Sequence, residues 1–143
     1  MKSAKKTTNQ TYLQQNQKFW ANGYNAPNPE SVIFRFAGRI LKSKFNLPSL
    51  NERLLDFGCG QGANTNYFHN LGFNVSGIDI SDNDINVARI RYPNISNNFH
   101  LCAPSPSKNE FYGWKNEISV IVCSQSLYYF SEKHFNEVLI KLY

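Results

Sequence analysis

The sequence predicts an α/β protein, a doubly wound, mostly parallel sheet with helices against it. Short apolar runs alternate with segments of helical spacing from residue 29 onward, the order that builds parallel sheets. One of these runs, Ile118 to Cys123, is apolar enough for a strand buried on both faces. Gly58, Gly60 and Gly62, at alternate positions, stand between the first run and the helix after it. Glycines there allow a sharp turn and the close approach of a ligand to the backbone. The helix that follows offers unpaired N–H groups and partial positive charge.

A chain of 143 residues suits one domain with a core of its own. Hydrophobic residues make up 41% and charged residues 17%, and an aromatic share of 15% favours packing over disorder. No apolar run approaches the roughly 20 residues that span a bilayer, so no membrane partner is expected. Lys2, Lys5 and Lys6 lack the apolar stretch of a secretory signal behind them. The net charge of +5 raises nucleic acid as a partner, but outside that tail Lys and Arg are scattered. A basic tail is ordinarily a solvated end, so nucleic acid is not the expected partner. Cys59, Cys102 and Cys123 form no CxxC pair, and His69, His100 and His134 lie far apart, so no metal site is expected. Such thiols fit a reducing cytoplasm and pack as small hydrophobes.

In chain order, residues 1 to about 11 are polar and rich in Lys and Asn, a frayed end. Tyr12 to Trp20 has the spacing of a short helix, and Asn22 to Pro29 the composition of a loop. Asn28 and Pro29 read as an N-cap and a first helical residue. Val32, Ile33, Phe36, Ala37, Ile40 and Leu41 then recur with helical spacing, giving an amphipathic helix from Pro29 to about Lys42. Pro48 to Glu52 leads into the first strand, Arg53 to Phe57. The helix after it spans Gly62 to Leu71 and is closed by Gly72. Phe73 to Asp79 is a second strand ending in an acid. Ser81-Asp82-Asn83-Asp84 has the form of a capping box ahead of a helix over Ile85 to Arg91, which Tyr92-Pro93-Asn94 ends. Asn98 to Cys102 is a third strand, Ala103 to Lys115 a long loop, and Ile118 to Cys123 the fourth strand. Ser131 to His134 opens a last helix with apolar positions at Phe135, Val138, Leu139 and Leu142.

The glycines alone leave the bound group open, because Gly58, Gly60 and Ala63 also satisfy the dinucleotide fingerprint. Asp56, two positions before the first glycine, discriminates. Its carboxylate would face a diphosphate, and at about 4 Å with an effective dielectric near 20 one charge pair is worth roughly 4 kcal/mol. That sign opposes NAD and favours a cationic, phosphate-free nucleoside.

Asp56-Phe57-Gly58-Cys59-Gly60-Gln61-Gly62 resembles the first motif of the class I S-adenosylmethionine-dependent methyltransferases. Gly77-Ile78-Asp79-Ile80-Ser81 is similar to their second motif. The stretch from Ile118 to Phe130, with Ser126-Leu127-Tyr128-Tyr129, is similar to their fourth-strand motif. The resemblance covers about Arg53 to Tyr143 and implies a Rossmann-like sheet whose first strands lie in the order 3-2-1-4. It implies S-adenosylmethionine as cofactor, S-adenosylhomocysteine as product, and roles for particular residues. Asp56 and the backbone at Gly58, Cys59 and Gln61 would hold the methionine end, with Gly60 and Gly62 giving clearance. Asp79 would accept both ribose hydroxyls, a bidentate role its two oxygens allow. Ile80 would pack on adenine, and Ser124 or Gln125 would sit beside the methionine group and the acceptor. Trp20 and Tyr24 would form a lid, or pack into the core or a loop, within a tail segment, residues 1–28, ahead of the cofactor-binding domain, residues 29–143.

The chain departs from the family's pattern in three places. Cys102-Ala103 stands where an Asp-Ala pair contacts adenine, so backbone groups would hold the ring there. Ser119 stands in place of an acid near the start of the fourth strand. The family's sheet has seven strands, and this chain stops after the helix following the fourth. The domain is therefore expected to be incomplete at its C-terminus, with the fourth strand an exposed edge prone to self-association. The expected activity is methyl transfer to a small-molecule acceptor, a saccharide or other metabolite. The alternatives are a cofactor-binding fragment without activity, an RNA methyltransferase and, against Asp56, an NAD-dependent oxidoreductase. Tyr128, Tyr129 and His100 are candidates for a general base, and His134 a weaker one, but no spacing singles out any of them.

Overall fold

The computed structural model describes residues 28–102, 118–127 and 130–142. The expected lid residues Trp20 and Tyr24, the helix over Tyr12 to Trp20, the loop from Ala103, and Tyr128 and Tyr129 lie outside the described residues.

Four strands form one sheet: β1 (Arg53–Phe57), β2 (Asn74–Asp79), β3 (Phe99–Leu101) and β4 (Val120–Val122). Their order is β3-β2-β1-β4 with every pairing parallel, which is the order expected. The register sets Asp56 beside Gly77 and Val122, and Asp79 beside Leu101. Strand ends carrying the predicted functional groups thus come together along one edge.

The first helix departs from the expectation. Glu30, not Asn28, is its N-cap, so the helix starts at Ser31 rather than Pro29. This element, α1, opens as Ser31–Arg35, widens into π-helical turns over Phe36–Lys42 and closes as Ser43–Phe45. Residues four apart lie one above the other on a helix face. The buried stripe is Ile33, Ala37 and Leu41, while Val32 and Ile40, expected in the core, are exposed. Asn46 ends the helix in the left-handed conformation.

The other helices are α2 (Ala63–Asn70), α3 (Asp82–Arg91) and α4 (Glu132–Leu142), with a 3-10 stretch over Pro93–Asn98. Gly72, at φ +102°, donates to the His69 carbonyl and closes α2 as expected. Ser81 caps α3 by accepting the Asp84 N–H at 3.3 Å. The return arm of the expected box is missing, because Ser81 N–H donates to Asp79 instead.

Strand alternation divides the core between two faces. Leu54, Val75, Phe99, Val120 and Val122 pack with α1, α2 and α3, including Phe68, Ile85 and Ala88. Leu55, Phe57 and Ile78 face the other way, against Val138 of α4. Asp56 alternates onto the first face, beneath α2.

Candidate functional site

The glycine loop crosses the carboxyl ends of β1 and β2, held by backbone bonds. Gly58 N–H and Cys59 N–H both donate to the Ile78 carbonyl, at 2.8 and 3.0 Å. Gly62 N–H donates to the Cys59 carbonyl at 3.0 Å and then starts α2 at φ +84°. The clearance expected at Gly60 is there, since a Cβ on it would meet nothing within 4 Å. The clearance expected at Gly62 is not. A Cβ there would lie 2.7 Å from the Phe99 ring, so this glycine serves packing between α2 and β3. Gly58 likewise yields its space to Ser126, whose Cβ an added methyl would overlap.

Asp79 organises the loop. Its Oδ2 accepts Gly60 N–H and its Oδ1 accepts Ser81 N–H, each at 2.9 Å. A carboxylate has about four acceptor directions, so two remain for a ligand's hydroxyls. Burial pushes the Asp79 carboxyl above its ordinary pKa, and the backbone N–H groups of Ser81, Gly60 and, more weakly, Ile80 pull it back.

Asp56 is fully buried. Its Oδ2 accepts the Thr65 hydroxyl at 2.6 Å, and its Oδ1 has no hydrogen-bond partner among the described residues. Burial pushes its carboxyl up to about 7 against the pull of the Thr65 hydroxyl, and repulsion from Asp79 adds to the rise. A buried acceptor without a donor costs about 1–3 kcal/mol. Such an atom marks the place where a donor or cation belongs.

The remaining expected residues divide by position. Cys59 is buried in the loop, and its thiol is held well above the usual range, first by burial and then by Asp79 and Asp56. Cys123, half-buried after β4, is pushed up to about 11, chiefly by burial. Both thiols stay protonated, which removes them as nucleophiles. Gln61 reaches α3, donating to Asp84 Oδ1 at 3.2 Å. Ile80 packs on the second-face core. Cys102, buried after β3, donates its N–H to the Asp79 carbonyl at 2.8 Å, close to the site. Ser124 and Gln125 follow β4; Gln125, at φ +56°, donates its amide to the Glu30 carboxylate. His100 sits within β3, where burial and Arg89 lower its pKa. Three strand spacings of about 4.8 Å put it roughly 14 Å from β4, far from Ser124 and Gln125.

Two residues escape a sequence reading. Thr65 pairs with Asp56 from nine positions away, and its signal is a hydroxyl three residues before Phe68 on the buried side of α2. Ser126 packs on Gly58 with its hydroxyl buried and without a partner among the described residues.

A cavity of about 380 Å³ opens elsewhere, between α1, α2 and the Leu47-Pro48 and Phe73 segments. Those segments precede β1 and β2, so it lies at the amino ends of the strands. Open α/β sheets bind ligands at the carboxyl ends, where the acids and the glycine loop are.

The fold recurs in solved structures. A protein from work on converting a disulfide bond into a thioacetal group during echinomycin biosynthesis is 18% identical, with a TM-score of 0.67 over 92% of this chain and 54% of its own. The plantazolicin methyltransferase BpumL, solved with a pentazolic desmethyl analogue and S-adenosylhomocysteine, is 20% identical, with a TM-score of 0.64 over 92% and 51%. Phosphoethanolamine N-methyltransferase 2 of Haemonchus contortus, solved with phosphomonomethylethanolamine and S-adenosylhomocysteine, is 20% identical, with a TM-score of 0.64 over 96% and 33%. The chain thus spans about half or less of each. No curated protein matches the sequence. A family model described as a methyltransferase domain matches residues 23–139, most of the sequence and all four strands. The chain belongs to that methyltransferase-domain family.

Proposed function

We propose that this chain is the S-adenosylmethionine-binding part of a methyltransferase that acts on a small-molecule acceptor, a saccharide or other metabolite. The observation that carries the reading is the pair of buried acids on either side of an open Gly60, one with an unpartnered oxygen. A diphosphate beside them would be repelled by roughly 4 kcal/mol per charge pair at about 4 Å, and an ammonium attracted by as much.

The residues fit the cofactor. Asp56 Oδ1 would receive the ammonium of its methionine end, and the two free acceptor directions of Asp79 would take the ribose hydroxyls. Ile80 and the backbone at Cys102 would border the adenine, with Ser124 towards the acceptor. Bound there, S-adenosylmethionine supplies a methyl group on a cationic sulfur that departs neutral. The chain's own task is alignment and the exclusion of water, and such positioning is worth on the order of 7–11 kcal/mol. Neighbours of the same fold hold a plantazolicin analogue or phosphomonomethylethanolamine beside S-adenosylhomocysteine, which supports an acceptor of small-molecule size. The three cysteines are free, in keeping with the cytoplasm.

A second reading is a cofactor-binding part that needs further strands for turnover, and the position of β4 at the end of the sheet favours it. Binding of S-adenosylhomocysteine without methyl transfer to any acceptor separates the two.

Calorimetric titration tests the cofactor. S-adenosylhomocysteine should bind, NAD should not, and Asp79→Ala should weaken binding by roughly 2–3 kcal/mol through lost hydrogen bonds to a charged group. Heat from NAD with none from S-adenosylhomocysteine overturns the proposal.

A further inference from the structure

The two oxygens of Asp56 have unlike surroundings: Oδ2 takes the Thr65 hydroxyl at 2.6 Å and, among the described residues, Oδ1 takes nothing. Thr65 is itself wholly buried, in the first turn of α2, whose N-cap Gly62 has no side chain to offer the helix. The neighbouring strand makes room for that hydroxyl. A Cβ on Gly77, the residue paired with Asp56 in the sheet, would stand 2.8 Å from Thr65 Oγ1. An acid on β1, a hydroxyl on α2 and a missing side chain on β2 therefore fit one another. Valine has the same shape as threonine, so filling space does not account for the hydroxyl.

We propose that Thr65 is a positioning residue for the cofactor, its hydroxyl fixing Asp56 Oδ2 so that Oδ1 is presented as an anion to the cationic methionine end. This rests on the cofactor reading above. The groups around Asp56 do not offset its charge: Asp79 on β2 is another acid that opposes it, and the Cys59 and Cys123 thiols, held protonated, are neutral. Thr65, through its hydroxyl and its backbone N–H, is what favours the ionised carboxylate. Without the hydroxyl, a proton takes the place the cofactor's ammonium needs.

The test uses the full chain, with S-adenosylhomocysteine and 5′-methylthioadenosine, which has no amino-acid end, as calorimetric probes. Thr65→Val should bind S-adenosylhomocysteine about tenfold more weakly, the worth of one hydrogen bond to a charged group, and 5′-methylthioadenosine unchanged. The pH at which S-adenosylhomocysteine affinity reaches half its plateau should rise, and Thr65→Ser should restore both readouts. Equal loss for the two probes, or an unmoved pH midpoint, overturns the proposal. The midpoint decides alone where 5′-methylthioadenosine binds too weakly to measure. Should Thr65→Val not fold, Thr65→Cys, close in size and a weaker donor, carries the same expectations. Failure of the unaltered chain to bind S-adenosylhomocysteine overturns the cofactor reading and this proposal together. Normal binding by the unaltered chain and Thr65→Val alike overturns this proposal alone.

Discussion

Replacing Asp56 with asparagine should stabilise the ligand-free protein, and increasingly so as the pH rises. An aspartate titrates near 3.8 when unfolded, whereas burial holds the folded Asp56 carboxyl up at about 7. The folded state therefore binds this proton more tightly than the unfolded state does. For such a group the stabilising contribution is full below about pH 4 and is lost as the pH rises towards 7. A gap of about three in pKa, at roughly 1.4 kcal/mol each, makes the charged carboxylate cost about 4 kcal/mol at pH 8. Asparagine keeps the shape, can still meet the Thr65 hydroxyl and carries no charge. Wild type and variant should agree within about 1 kcal/mol near pH 4, and the variant should lead by about 2–4 kcal/mol at pH 8. Urea unfolding followed by circular dichroism at several pH values measures the difference. Other titrating groups, the raised Asp79 among them, stand in both proteins and largely cancel. A difference that stays flat, or shrinks as the pH rises, would refute the reasoning. On the proposed function the same variant should bind S-adenosylhomocysteine more weakly, because the uncompensated charge that destabilises the ligand-free protein is the one proposed to receive the ammonium.

Two further substitutions separate glycines of like backbone and unlike surroundings. Gly58→Ala drives a methyl into Ser126 and should cost about 3 kcal/mol or more, whereas Gly60→Ala meets open space and should cost only about 1–2 kcal/mol for its positive φ. Melting temperatures give the comparison, and equal losses would contradict it; Gly60→Ala should instead do its damage to S-adenosylhomocysteine binding. Among the described residues β4 pairs only with β1, so its other edge should draw copies of the chain together. Light scattering that returns a monomer's mass at every concentration would count against that edge.

What the sequence made legible was local. The alternating glycines and the acids at Asp56 and Asp79 stand out as a local spacing, and the closing Gly72 and the Ser81 cap rest on contacts within a few residues of chain. Sheet order followed from the resemblance to the family. What stayed hidden depends on neighbours distant in sequence. No local pattern says that Gly62 is small because of Phe99, or that Gly58 is small because of Ser126. The start of α1 was misread for a related reason. Asn28-Pro29 has the local form of a helix start, yet Glu30 is the cap and its carboxylate is engaged by Gln125 from the end of β4. A tertiary bond prevails there over a local preference, as it often does at element boundaries.

Both acids also serve the fold, and in opposite senses. Asp79 holds Gly60 and Ser81 by their N–H groups, so its charge is compensated by backbone donors even without a ligand. Among the described residues Asp56 has Thr65 for one oxygen and nothing for the other, so its charge is only half compensated. Removing the first carboxylate strips two donors of their partner and should lower stability and affinity together. Neutralising the second relieves a buried charge and should raise stability while lowering affinity. Affinity alone cannot distinguish the two acids, since both losses weaken binding. The sign of the stability change does, and a gain at Asp56 would mark it as the position where the protein gives up stability for function, the trade expected at a binding site rather than in a scaffold.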